Sequence, residues 1–359
     1  MDAFLPLLPE ERRQICLVAA GQLNLNPGSV EKDFWVCWTL RELFSLPGIG
    51  EHLTFKGGTS LSKGWKLIER FSEDIDVVID RDALGFEGER SPEAAAGSNE
   101  RRRRLEALRT ACQTWIRDVL RPALDRRLRE RLGGMGAWTL IDDPKDPDGQ
   151  TLLFSYPVSI PEQGYLRPDV KIELGARSDI EPSERPLIQP YIADALPDVL
   201  GPSQFAVQTL DPRRTFLEKA CLLHEETYRA GDKAPAARLS RHYYDLWCLI
   251  RSGTADAAVA DSGLFNRVVA HRGVFFRRSA EAQATLRPGS LRIMPKREHY
   301  PEWQRDYDAM REAMFFGETP EFVEILKVVG EFERRFNGAG GQSEGTCGRR
   351  GERVGIWPV

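Results

Sequence analysis

The residues best equipped for chemistry lie close together: Lys56-Gly57-Gly58-Thr59-Ser60, then Lys63, then Ser72-Glu73-Asp74-Ile75-Asp76-Val77-Val78-Ile79. In an extended strand, side chains two apart share a face. Asp74 and Asp76 are therefore predicted to project together while Ile75, Val77 and Ile79 enter a core. Two adjacent carboxylates repel unless a cation lies between them, and oxygen-only ligands of this kind suit Mg²⁺ beside a substrate phosphate. A glycine pair lets backbone approach a ligand closely, and a helix N-terminus directly after it turns N–H groups toward phosphate. Thr59, Ser60 and Ser72 add hydroxyls; Lys56 and Lys63 add positive charge. The plainer alternatives are an exposed acidic strand edge and a tight strand-to-helix bend. A Walker-type loop is excluded, because GxxxxGK[ST] is absent.

A third acid is expected from Asp169-Val170-Lys171-Ile172-Glu173-Leu174, where alternation sets Asp169, Lys171 and Glu173 on one strand face. Glu173, or failing it Asp169, could reach the Asp74/Asp76 pair from a neighbouring strand; a solvated strand face is the alternative.

The elements that must position these groups follow from periodicity. Two helices are predicted within 9–46, broken at Asn26-Pro27-Gly28-Ser29, with Ser29 as the cap of the second. "HLTFKGG" reads as a short strand entering a glycine turn, "LSKGWKLIE" as a helical turn or two, and residues 86–100 as a loop. One long amphipathic helical stretch covers 99–132, with a bend at Pro122. "TLLFSYPV" and "RPDVKIELGA" read as further strands, and four helical segments follow residue 210. The Gly-rich segment 337–359 reads as a disordered tail. The expected parts are N-terminal helices over 1–46, an α+β core with a mixed sheet over 47–210, and a C-terminal helical domain over 211–336.

The chain has 359 residues, 41% hydrophobic and 29% charged, with a formal net charge of -4, which excludes a uniformly basic nucleic-acid coat. No run approaches the length of a membrane helix and the N-terminus is not a signal peptide, so the expectation is cytoplasmic. Six scattered cysteines without a CxxC argue against structural zinc and against a disulfide framework. The segment 100–132 is locally basic (Arg101 to Arg104, Arg109, Arg117, Arg121, Arg126, Arg127, Arg129, Arg131). It could contact an RNA backbone, or could be a solvated helix face offset by its own acids.

"FKGGTSLSKGWKLIERFSEDIDVVI" resembles the GG…DxD signature of the polymerase-β-like nucleotidyltransferase superfamily. Together with "VEKDFWVCWTLRELF", "KIELGAR", "FLEKACLLHEE…SRHYYDLWCL" and "QRDYDAMREAMFFGETPEFVEIL" it resembles the AbiEii/AbiGii toxin family over about residues 9–336. The resemblance implies a polymerase-β-like fold and transfer of a nucleoside monophosphate from an NTP, with an RNA such as the 3′ end of tRNA as one acceptor. It implies a toxin of a toxin–antitoxin or phage-defence pair, partnered by an antitoxin that often carries a DNA-binding domain. By position, Gly57, Gly58, Thr59 and Ser60 would hold the triphosphate. Asp74 and Asp76 would bind Mg²⁺ or Mn²⁺, with Glu173 as a possible third ligand, and Lys219 and Asp245 would act from the helical half. His242 stands where many relatives carry an aspartate. Such chemistry is mostly positioning and charge neutralisation, with two Mg²⁺ about 4 Å apart serving nucleophile and leaving group. The rival expectations are transfer to a protein or small molecule, and an inactive nucleotide-binding module.

Overall fold

The computed structural model describes residues 1–161, 167–229, 237–276, 279–315 and 319–340. Two helices lead: α1 (Pro9–Leu23) and α2 (Pro27–Phe44). The cap of α2 is Asn26, whose Oδ1 accepts from the Gly28 N–H at 2.8 Å while Pro27 takes the first helical position. Ser29 is therefore inside the helix rather than at its cap, because proline's fixed φ suits the first turn and has no N–H to satisfy.

A seven-stranded mixed sheet follows. It is built from β1 (Leu53–Lys56), β2 (Asp74–Ile79), β3 (Thr139–Asp142), β4 (Thr151–Ser155), β5 (Asp169–Gly175), β6 (Ser183–Glu184) and β9 (Thr209–Leu210), while β7 (Leu187–Ile188) and β8 (Phe205–Ala206) form a separate pair. The order is β3-β4-β5-β2-β1-β9-β6; β2 runs antiparallel to β1 and parallel to β5. Ile75, Val77 and Ile79 are buried as their alternation requires, and Val78 on the other face is buried as well.

Between the strands lie α3 (Gly57–Thr59), continued by one wider turn to Gly64, then α4 (Ser98–Trp115), α5 (Arg121–Leu132) and α6 (Tyr191–Ala195). The helix expected to reach Glu69 ends by Trp65. Segment 86–100 is a loop with two single turns until α4 begins at Ser98. The long basic helix widens over Ile116–Leu120 just before Pro122, whose missing N–H breaks the regular ladder there.

The rest is helical: α7 (Pro212–Thr227), α8 (Arg241–Arg251), α9 (Thr254–Ala260), α10 (Ser262–Phe275), α11 (Ala280–Thr285), α12 (Tyr300–Met314) and α13 (Phe322–Gly340). Because α13 runs to Gly340, the expected tail is helical over 337–340, and 341–359 lie outside the described residues.

Two hydrophobic cores result. One joins α1, α2, the sheet, α4 and α5; the other joins the helices after residue 210 and takes Leu61 and Ile68 from the chain between β1 and β2. Within the first core α2 is buried nearly all round, with Trp35 and Trp38 against Phe154 and Trp35 stacked on Tyr156. Its buried charges therefore need partners. Lys32 meets Glu73 and the Arg167 carbonyl, Asp33 meets Lys63, and Glu31 accepts the N–H groups of Ser159 and Ile160.

Candidate active site

At the end of β1 the chain turns through Gly57 at φ +84°, where a side chain would be strained. A Cβ there would stand 1.9 Å from the Asp76 Oδ2. A Cβ on Gly58 would stand 2.7 Å from the Arg70 Nη2 and 2.8 Å from the Ser72 Oγ. Glycine is thus required twice: the turn lies against a carboxylate on one side and a guanidinium on the other. The hydroxyls of Thr59 and Ser60 hold this turn from within. Thr59 donates to the Asp74 carbonyl at 2.5 Å and lies 2.9 Å from the Ser72 Oγ; Ser60 donates to the Gly57 carbonyl at 2.9 Å. Both residues are fully buried, so they shape the turn rather than line the cleft.

Register brings the acids together. Asp76 pairs across the sheet with Lys56 on β1 and Glu173 on β5, and Asp74 pairs with Lys171. Burial, with Glu173 and Asp74 nearby, raises the Asp76 carboxyl from 3.8 to about 7 against the opposing pull of Lys56. Asp74 is raised too, chiefly by burial and then by Glu173 and Glu73. Glu173 also takes a short contact from Lys171. Among the described residues no three such groups are gathered closely enough to hold a metal ion, so Glu173 and Asp169 as metal ligands remain expectations.

These acids line a cleft of about 410 Å³ with Lys56, Gly57, Gly58, Arg70, Ser72, Arg177, Lys219, Arg241, His242, His271 and Arg272. Carboxylates on the sheet side face a mostly cationic helical side, a combination that accepts a polyanion beside the acids. Lys219 projects from α7 and reaches Asp245 on α8 at 2.9 Å. Asp245 is fully buried and does not line the cleft; it also takes a bidentate pair from Arg70 at 2.7 and 2.9 Å. The Arg70 guanidinium beside it holds the Asp245 carboxyl well below the usual carboxylate range, and Lys219 adds to this. With that carboxylate shared, burial outweighs it at Lys219 and lowers the ammonium. His242 lies 3.2 Å from the Lys219 Nζ through Nδ1, and burial with that ammonium beside it keeps the ring neutral.

One further expectation needs correction, and for the basic segment the alternative is met. Lys63 does not reach the cleft: the helical turn after Gly58 carries it to the far side, where it is 6% exposed, pairs with Asp33 at 2.8 Å and sits 3.6 Å above the Tyr191 ring. The basic segment 100–132 is largely neutralised. Arg104 pairs with Glu100, Arg109 with Glu106 and Asp148, Arg117 with Asp118, Arg121 with Asp142, Arg129 with Asp125, and Arg127 and Arg131 with Glu42. Exposed Arg102, Arg103 and Arg126 are what remains for an RNA backbone.

Arg70 is the site residue that sequence reasoning missed. Its signal was only its place two residues before Ser72, yet it is 3% exposed and bridges both halves. Its backbone pairs with Phe315, and Phe71 donates to the Met314 carbonyl at 2.6 Å. Arg177, four residues beyond Glu173, was likewise passed over.

A mixed sheet flanked by helices, a glycine turn against the Asp76 carboxylate and a cationic helical wall fit a nucleotidyltransferase. The model of the nucleotidyl transferase AbiEii toxin family, of type IV toxin–antitoxin systems, matches residues 38–328, and the chain belongs to that family. None of the curated proteins matches it significantly. Among the described residues, no helix is long and apolar enough to cross a membrane.

Proposed function

We propose that the protein moves a nucleoside monophosphate from an NTP to an RNA acceptor, the 3′ end of tRNA, with the acceptor hydroxyl bonding the α-phosphorus as pyrophosphate leaves, and that this modification is its toxic act. The observation that carries the reading is the Gly57 turn lying against the Asp76 carboxylate inside a cleft whose opposite wall is Lys219, Arg241 and Arg272. The glycine backbone would face the triphosphate, with Arg70 and Lys219 over its charge, and Ser72 beside it. Asp74 and Asp76 offer an oxygen-only donor set, with both carboxyls raised chiefly by burial and further by neighbouring acids. That donor set fits Mg²⁺ or Mn²⁺. Bound there, the metal would neutralise triphosphate charge and make the acceptor hydroxyl more acidic. Asp74 would orient that hydroxyl and take its proton. Asp245 enters as a positioning residue for Arg70 and Lys219. The two separate cores support the division at about residue 210, and a neighbouring antitoxin and a cytoplasmic setting complete the reading.

Incubation with Mg²⁺, each α-labelled NTP and total tRNA, beside Asp74→Ala, tests it. Label on RNA in the wild type alone is expected. Label on protein would replace the acceptor, and NTP binding with no transfer would favour a binding module. Growth arrest that Asp74→Ala fails to relieve would count against catalysis as the toxic act.

A further inference from the structure

A second concavity, of about 920 Å³, lies on the N-terminal face and shares no lining residue with the catalytic cleft. Its walls are the chain before α1, the turn after α5 from Arg131 to Ala137, and Tyr156 to Val158 after β4. Leu8 and Val158 on its rim are 66% and 41% exposed. Arg12, in the first turn of α1, lines it while only 3% exposed, and its Nε and Nη1 are buried with no hydrogen-bond partner. A guanidinium carries five donors and stays charged, so such a state is costly. The first turn of a helix is also its positive end, which disfavours a cation. The one acid near enough to be felt, Glu31, spends its carboxylate on the N–H groups of Ser159 and Ile160 at 2.6 and 3.0 Å.

We propose that this groove docks a segment of a partner protein that presents one carboxylate between apolar side chains. The carboxylate answers the Arg12 charge at the groove, and the flanking apolar groups cover Leu8 and Val158. The groove's own carboxylate, Asp2, is taken by Arg41 and Arg131, so charge complementarity selects the acid, and a surface groove open between three chain segments suits a peptide backbone laid along it.

The test pans a random peptide library on the full chain and counter-selects on Arg12→Met, with nucleotidyl transfer as the control for folding. The expected consensus is Asp or Glu flanked by apolar residues, whose synthetic peptides bind wild type at least tenfold tighter than Arg12→Met and lose that margin when the acid becomes its amide. The free Arg12→Met protein should melt close to wild type, since Nε and Nη1 have no hydrogen bond to lose and only the pull of Glu31 is given up. An acid-free consensus, equal binding to the variant, or a variant that melts several degrees lower would each overturn the proposal. So would a wild-type dimer that Arg12→Met dissociates, which would make a second copy the occupant.

Discussion

Asp245→Asn is the most informative single change, because Asp245 holds two buried cations at once. The carboxylate is fully buried and receives Arg70 at 2.7 and 2.9 Å and Lys219 at 2.9 Å. The amide leaves Arg70, itself 3% exposed, and Lys219 facing a single neutral oxygen. Breaking a buried pair by removing one partner costs about 3–5 kcal/mol. Against a typical total of about 5–15 kcal/mol this is a large share, and a melting temperature lower by roughly 6–12 °C is expected. Because the folded carboxyl titrates far below an unfolded aspartate, its stabilisation is present above about pH 4 and is lost as pH falls further. Denaturant melts of wild type and variant should therefore differ by a constant amount from pH 6 to 9 and converge in acid. Transfer measured well below the variant's melting temperature should fall about 10²-fold, since Arg70 and Lys219 would no longer be held over the cleft. A triple change, Arg70→Met with Lys219→Met and Asp245→Leu, should recover most of the stability and none of the activity. A variant Asp245→Asn within about 1 kcal/mol of wild type would refute the anchoring role. If stability stayed unchanged while transfer was abolished, Asp245 would act in the chemistry itself.

Gly57→Ala forces a Cβ to 1.9 Å from the Asp76 Oδ2 at a positive φ, so single-turnover transfer of labelled NMP should drop about 10²-fold; activity within twofold of wild type would remove the close approach from the mechanism. In metal-free buffer Asp76→Asn should stabilise the protein. With the folded carboxyl near 7 against 3.8 unfolded, wild-type stability falls as pH rises from about 4 to about 7. The variant's advantage, up to about 4 kcal/mol, should then appear in melts at pH 8 and vanish at pH 4. Lys63→Met should destabilise by about 3 kcal/mol, because it strands the 4% exposed Asp33, yet leave NTP affinity of the folded fraction unchanged by calorimetry.

How much of this was legible in the sequence depended on periodicity. β2 and β5 were readable because apolar and charged residues alternate over Asp74–Val77 and throughout Asp169–Leu174. β3 was not, since only Leu140 of its residues is buried, and β6 and β9 pair over two residues each, too short for any pattern. The site divided in the same way. Gly57, Gly58, Ser72, Asp74, Asp76 and Glu173 line one cleft as the motif spacing suggested, and Lys219 joins them as the family resemblance implied. Lys63 was misplaced because nearness along the chain says nothing about which side of a helical turn a residue faces. Arg70 went unseen because a loop residue has no period, and its importance comes from a partner 175 positions away.

That long-range link also explains how one chain with two cores builds one cleft. The acids stand on the sheet of the first core, whereas Lys219, Arg241 and Arg272 stand on helices of the second. Leu61 and Ile68 leave the glycine turn to join the second core before the chain returns as β2. The segment between the glycine pair and the aspartate pair is thereby fastened to the helical half, and Arg70 locks it through Asp245 and the backbone of Phe315. The glycine turn is thus held by both halves, so the separation of acids from cations is set by packing rather than by the motif alone. Substitutions deep in the second core, such as at Tyr244 against Phe315, should therefore lower transfer through the proposed catalytic acids, and unchanged transfer in a folded Tyr244→Leu would refute the route.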